Sequence, residues 1–404
     1  MTPSSPTPAL TRRALLRAGL GSLAVPAPFG GIARAAAPAR DNRILVVLEM
    51  SGGNDGLNTV VPYADDTYYR LRPTLGIPAK RLRRIDDHHG FNPGLAGFER
   101  LYKDGRLAIV HGCGYDKPNF SHFASMAYWH TAAPNSGEEY GWVGRLADAM
   151  RPDGASNFIV NIDSTQSLAV RSRRHTPVVF DDPGKFVREG FFEQRGLIDR
   201  VDDGDAAESG NRRYLREIAR GARDASELVR QACSKYSTPV DYGILPVDLP
   251  KVAALIDAGL PTRLYYVAYR NNAFDTHVHQ ADLHQRLLTY VSDGVLGFMR
   301  DMERIGRADD VVLMAFSEFG RRVPENTSLG TDHGTAGPMF IVGKPVKGGQ
   351  YGQPVSLAER TPDDNLLHTT DFRRGYATVM SGWLGSPDTQ ALLRGPFEPF
   401  PVFG

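Results

Sequence analysis

The 404-residue chain is 41% hydrophobic and 23% charged, with 42 glycines and 28 prolines, a near-average globular composition that excludes disordered, collagen-like and disulfide-scaffold classes. A formal charge of +1 leaves no basic surplus for nucleic acid, and no run of about 18 apolar residues follows the first forty positions, which argues against a transmembrane segment in the body of the chain. Cys113 and Cys233 lie far apart and form no CxxC pair, so one disulfide or none is expected.

In chain order, Thr11-Arg12-Arg13-Ala14-Leu15-Leu16-Arg17 comes first and resembles the twin-arginine export motif. A weakly apolar stretch, Ala18 to Ile32, follows, and then the small-residue segments Ala33-Arg34-Ala35 and Ala35-Ala36-Ala37. These are the charged, apolar and cleavage regions of a signal peptide. It is expected over residues 1–35 and cut after Ala35, because Pro38 would directly follow the alternative cut. The resemblance implies the twin-arginine export machinery as a partner and a periplasmic or otherwise exported location. It also implies export in the folded state, often with a cofactor or metal already bound. Without Arg12, Arg13, Arg17 and Arg34, 43 basic residues face 46 acidic ones, and the mature chain carries a formal charge of −3.

Next, Arg43–Leu48 (RILVVL) is nearly continuously apolar, the pattern of a strand buried on both faces. Similar runs occupy Leu107–His111, Phe158–Ile162, Arg263–Ala268, Val311–Phe316 and Met339–Val342. Helical patterns lie between them: Pro93–Lys103, His122–His130, Asn211–Lys235, Leu249–Ala258, Asp282–Ile305 and Asp371–Leu384. Strands alternating with helices predict an α/β fold with a largely parallel sheet covered on both sides. Asp202–Ser209 reads as a solvated loop. Ligands of such sheets bind beyond the carboxyl ends of the strands, so the polar residues just after strands are the candidates.

Four such segments are unusually polar: Gly52-Gly53-Asn54-Asp55-Gly56-Leu57-Asn58, Asp275-Thr276-His277-Val278-His279, Ser317-Glu318-Phe319-Gly320-Arg321 and Gly330-Thr331-Asp332-His333-Gly334. Each supplies a carboxylate and two supply histidine, the side chains that bind zinc, iron or manganese. Taken singly, Asp55 could merely shape a turn, and Glu318 could simply pair with Arg321. His88-His89 reads as a loop pair with no role. Pro118-Asn119-Phe120-Ser121-His122-Phe123 opens a helix. Ser121 is there either an N-cap or a nucleophile or ligand supported by the helix N-terminus.

The segments GGNDGLNTVVPY, SHF, FDTHVHQ, SEFGRR, GTDHG and DFRRGYA, in this order from about residue 43 to 384, resemble the domain of unknown function 1501 family. That family is similar in fold to the alkaline phosphatase and sulfatase superfamily. The resemblance implies a three-layer αβα sandwich, a single domain over residues 41–404, and a divalent metal, zinc, as one or two ions. One superfamily zinc site uses an Asp, a His four positions later and a His near the C-terminal part. Asp275, His279 and His333, beside Asp332, match it, while the family's own Asp275-Thr276-His277 favours His277. The second site uses an Asp after the first strand, the Ser or Thr nucleophile and an Asp-His pair. Asp55, Ser121 and Glu318 fill three of those places. Phe319 stands where the second histidine belongs and cannot bind a metal, so one ion or a weak second is expected. The implied activity is metal-dependent hydrolysis of a phosphate or sulfate ester, with Ser121 as nucleophile and Arg321 orienting the anion. The alternative is an exported binding or assembly protein that keeps the hydrolase fold.

Overall fold

Every residue of β1 (Ile44–Met50) is buried, and its side chains divide by parity between two cores, as a strand covered on both faces requires. Ile44, Val46, Leu48 and Met50 enter one core, and Leu45 and Val47 enter the other. This is a computed structural model, and it describes residues 42–404 apart from 155–156, 187–224, 246 and 387. The expected signal peptide, the Asp202–Ser209 loop and the first part of the helix expected from Asn211 lie outside the described residues. Residues 225–235 are helical.

Three short strands, β2 (Val60–Val61), β3 (Arg83–Arg84) and β4 (Gly90–Phe91), form a separate sheet in the order β2-β4-β3. The main sheet joins β1 to β5 (Leu107–Gly114), β6 (Ile159–Ile162), β7 (Val178–Phe180), β8 (Leu264–Tyr269), β9 (Val311–Phe316), β10 (Gly337–Val342), β11 (Gly349–Tyr351) and β12 (Thr370–Asp371). Its order is β11-β5-β10-β9-β1-β8-β6-β7, with β12 also on β5. The pairings are parallel except those of β10, which runs antiparallel to both β5 and β9. That single reversal matters for the site. The chain entering β10 arrives at the end of the sheet where β1, β8 and β9 leave it.

After the short α1 (Asp66–Leu71), on one face pack α2 (Ala96–Lys103), through Phe98 and Leu101, and two helices that come later in the chain. On the other lie α3 (His122–Thr131) and α4 (Trp142–Met150), through Trp129, Trp142, Val143 and Leu146. The later helices of the first face are α5 (Leu249–Asp257) and the 25-residue α6 (Gln280–Arg304), which contributes Leu287, Val291, Val295 and Phe298. Sheet and helix layers thus form an αβα sandwich. The helix over Trp142–Met150 was absent from the sequence-based expectation, although its buried Trp142, Val143, Leu146 and Ala147 recur at helical spacing. The helix expected over Asp371–Leu384 begins two residues later. Asp371 belongs to β12 and its carboxylate accepts from Arg373 N at 3.0 Å. The helix Arg373–Ala377 then widens without a break into a π-helical turn over Thr378–Trp383. Cys113 and Cys233 are free thiols. Among the described residues no helix is long and apolar enough to cross a membrane.

Candidate metal centre

Leaving β1, the chain turns through Gly52 and Gly53 at φ +118° and +78°. A side chain at Gly52 would strike the backbone at Asn272 and Asp275, and one at Gly53 the Phe319 ring. Only glycine allows this turn to pack against the loops after β8 and β9. Their peptide groups, unshielded by a side chain, then serve as partners. Gly52 N donates to Glu318 Oε1 at 2.8 Å, and Gly53 O accepts from Arg321 Nε at 2.6 Å.

Beyond these strand ends, ligand atoms of His122, Asp275 and His333 converge within 4.8 Å of one another, and His277 joins them. His277 Nε2 is 2.8 Å from Asp275 Oδ1 and 2.9 Å from His333 Nε2. His333 Nε2 is 3.1 Å from the same carboxylate oxygen. His122 Nε2 stands 3.4 Å from Asp275 Oδ2, buried and, among the described residues, without a hydrogen-bond partner. The outer ring nitrogens explain the orientation. His333 Nδ1 is 2.7 Å from Phe120 O, and a carbonyl can only accept, so Nδ1 carries the proton. His122 Nδ1 likewise donates to the buried Glu318 carboxylate at 2.8 Å. On the outer side of His277, Nδ1 faces Asp332 Oδ1 at 3.5 Å. With the outer nitrogens protonated, the Nε2 lone pairs of His122 and His333 face a carboxylate. Such a convergence of acceptors is repulsive unless a proton or cation lies among them.

The electrostatics are uneven. Burial pushes Asp275 up, but the hydrogen bond and positive charge of Arg321 outweigh it and hold the carboxyl at about 2. Its hydrogen bond to Glu318 raises His122, whereas burial lowers His333. The Phe319 ring, 4.7 Å from that of His333 and 5.0 Å from that of His122, forms an apolar wall.

Several residues expected at the site stand elsewhere or act differently. Asp55 does not meet Glu318 in a second cluster. It is wholly buried with Arg72 and takes 2.6 Å from Arg72 Nη1 and 2.5 Å from Gln280 Nε2. Burial alone would raise its pKa, but the Arg72 charge brings it below the usual value. Glu318 faces the outer nitrogen of His122 rather than the converging Nε2 atoms, and Asp332 likewise stands on the outer side of His277. His279 is exposed at the N-cap of α6. Arg321, expected to hold an anion, directs its guanidinium inward to Gly52 O, Gly53 O, Phe274 O, Thr331 O and Asp275. Ser121 is exposed at the N-cap of α3, makes no side-chain capping bond, and lies between Phe120 and His122, both joined to the cluster.

His122 was not among the expected ligands. The SHF motif drew attention to its serine, although a histidine opening a helix after a strand end was the available signal. Gln280 carried no recognisable signal, since Asp55 lies 225 residues away in sequence, and Arg72, 17 residues from Asp55, was marked by no motif or spacing.

The family model described as a protein of unknown function, DUF1501, matches residues 259–381, under a third of the chain. Asp275, His277, Glu318, Asp332 and His333 fall within the match, while Asp55, Ser121 and His122 fall outside it. No curated protein matches the chain. Among solved structures, it is similar to a protein in the alkaline phosphatase superfamily from Vibrio parahaemolyticus, at 11% identity and a TM-score of 0.34 over 76% of this chain and 62% of that one. It thus spans less than two thirds of that relative. The sulfatase PsFucS1 from Pseudoalteromonas sp. is similar at 11% identity and a TM-score of 0.38, over 89% of this chain and 70% of that one. The C-terminal periplasmic domain of EcEptC from Escherichia coli, solved in complex with Zn, is similar at 11% identity and 0.35, over 75% and 73%. At such low identity the likeness extends no further than the arrangement of helices and strands. The chain therefore carries, over residues 259–381, the pattern of the DUF1501 family of proteins of unknown function.

Proposed function

We propose that this protein is an exported metalloprotein that holds one divalent ion, zinc by the chemistry of its donors, at His122, Asp275 and His333, with His277 alongside and one coordination position left open, and hydrolyses an ester there. One observation carries the reading. Imidazole Nε2 atoms converge on a carboxylate with their outer nitrogens held by acceptors, and the buried Nε2 of His122 has no hydrogen-bond partner among the described residues. Ligands of a tetrahedral zinc with bonds of ~2.0 Å stand roughly 3.3 Å apart. Asp275 stands 3.4 Å from His122 Nε2 and 3.1 Å from His333 Nε2, and the ligand atoms of the three residues lie within 4.8 Å of one another, so small side-chain movements bring them around one ion. The outer acceptors fix the tautomers, as partners of metal-bound histidines commonly do.

A divalent ion bound there supplies Lewis acidity and lowers the pKa of a bound oxygen nucleophile. The chain contributes orientation. Ser121 offers a hydroxyl at the N-terminus of the ten-residue α3, where unpaired backbone N–H groups favour negative charge. Arg321 steadies Asp275 instead of gripping the substrate. Phe120, Phe123 and Val278 flank the ligand residues in sequence and are 39%, 90% and 56% exposed, which favours an ester with an apolar group. Export through the twin-arginine machinery rests on Arg12 and Arg13, and a periplasmic location follows from it.

The test is elemental analysis and zinc titration of the purified chain, with phosphate, sulfate and carboxylic esters of aryl and alkyl groups screened against the metal-loaded protein and against Ser121→Ala. One bound ion and turnover lost in Ser121→Ala is the expected result. Absence of zinc binding would overturn the metal reading. The inward-turned Arg321 and the neutralised Asp55 favour a second reading, a non-catalytic metal-binding protein. One bound ion without turnover on any ester class would establish it.

A further inference from the structure

The residues at the cluster come from loops, and their placement depends on what lies beneath them. Gln280, the first residue of α6, is fully buried. Its amide Nε2 donates to Asp55 Oδ2 at 2.5 Å. Its Oε1 accepts from Thr276 Oγ1 at 3.1 Å and Thr331 Oγ1 at 2.5 Å. Thr276 lies between Asp275 and His277, and Thr331 lies two residues before His333. Thr331 N also donates to Thr276 O at 3.3 Å, and Arg321 Nη1 to Thr331 O at 2.8 Å. One amide therefore ties both ligand-bearing loops to Asp55, and Arg72 holds Asp55 in turn at 2.6 Å.

We infer that Gln280 is a positioning residue for the metal centre, with the Asp55–Arg72 ion pair as its anchor. The inference rests on the metal reading above. The Gln280 amide satisfies three buried partners with opposite needs, donating to a carboxylate and accepting from two hydroxyls. No hydrophobic or shorter side chain could hold both loops at this spacing. Metal sites need their ligands within about 0.5 Å of productive geometry, and loss of an outer partner commonly weakens metal binding about 10–100-fold. Gln280 touches no ligand atom of the cluster. Its effect passes through the Thr276 and Thr331 hydroxyls, so removing either hydroxyl reproduces part of the loss.

The experiment measures the zinc Kd of the full chain by competition with a chromophoric chelator, for wild type, Gln280→Met, Thr276→Val and Thr331→Val. The absorption spectrum of the cobalt-loaded forms and the melting temperature of the metal-free forms are recorded alongside. Gln280→Met is expected to weaken zinc about 10–100-fold, and each valine variant by a smaller factor. All three should show an altered cobalt spectrum, a signature that lower stability alone would not produce. If Gln280→Met does not fold, the two valine variants decide. Wild-type affinity and an unchanged cobalt spectrum in the folded variants would overturn the inference while leaving the metal reading intact. Failure of wild type to bind zinc would overturn both.

Discussion

Asp55 and Asp275 are both aspartates that follow strand ends in polar loops, and they have opposite environments. Asp275 is partly exposed and surrounded by imidazoles whose outer nitrogens are already engaged. Asp55 is sealed from solvent, with Arg72 at 2.6 Å and Gln280 at 2.5 Å. The availability of a carboxylate to a metal therefore depends on what has neutralised it in the folded chain. A buried guanidinium supplies the counter-charge at Asp55. At Asp275, Arg321 supplies one hydrogen bond, while the surrounding Nε2 atoms leave room for a further proton or cation. A polar loop in sequence can thus become either a ligand set or an internal brace.

The largest expected effect breaks the closed side of this comparison. Arg72→Ala leaves Asp55 buried and uncompensated, and removing one partner of a buried pair costs about 3–5 kcal/mol. Urea unfolding of the metal-free protein measures it. A loss below about 1 kcal/mol would mean that solvent reaches Asp55.

A smaller effect sharpens the open side. With zinc a hundredfold above its Kd, binding to the folded state adds about 2.7 kcal/mol. A chelator should lower the wild-type melting temperature accordingly, and His122→Ala and His333→Ala should each abolish most of that response. His279→Ala, exposed at the start of α6, and His88→Ala should respond like wild type. A chelator response in His122→Ala equal to that of wild type would remove this residue from the ligand set.

A third effect, spread over a pH window rather than felt at once, distinguishes burial from a metal as the reason a histidine stays neutral. His111 is buried on β5, bonded through Nε2 to Gln350 Oε1 at 2.9 Å, and burial pushes its pKa down to about 4. The unfolded chain takes up this proton near pH 6.5, so between pH 6.5 and 4 the unfolded state binds more protons. The contribution is full above pH 6.5 and is lost on acidification toward 4, by up to roughly 3 kcal/mol. In the presence of chelator, His111→Gln should flatten the pH dependence of stability across this window. An unchanged slope would assign the acid sensitivity to other groups.

The apolar runs of β1 and β9 were legible because strands buried on both faces must be apolar throughout. The glycines after β1, the DTH and TDH segments and the polar residues after β9 were legible for a related reason: in a mostly parallel sheet, chemistry collects where strands end. The antiparallel entry of β10, which delivers His333 to the cluster, was not legible, because strand direction is set by pairing with β5 and β9 and leaves no local pattern. His122, Gln280 and Arg72 were hidden for the same reason. Their partners lie 196 residues away at Glu318, 225 at Asp55 and, for the Arg72 bond to Val323 O, 251. Residue type and local spacing determined the strands and the supply of donors. Tertiary packing alone decided which carboxylate was neutralised by a guanidinium and which was left among imidazole lone pairs, because charge compensation depends on distance in space and not along the chain.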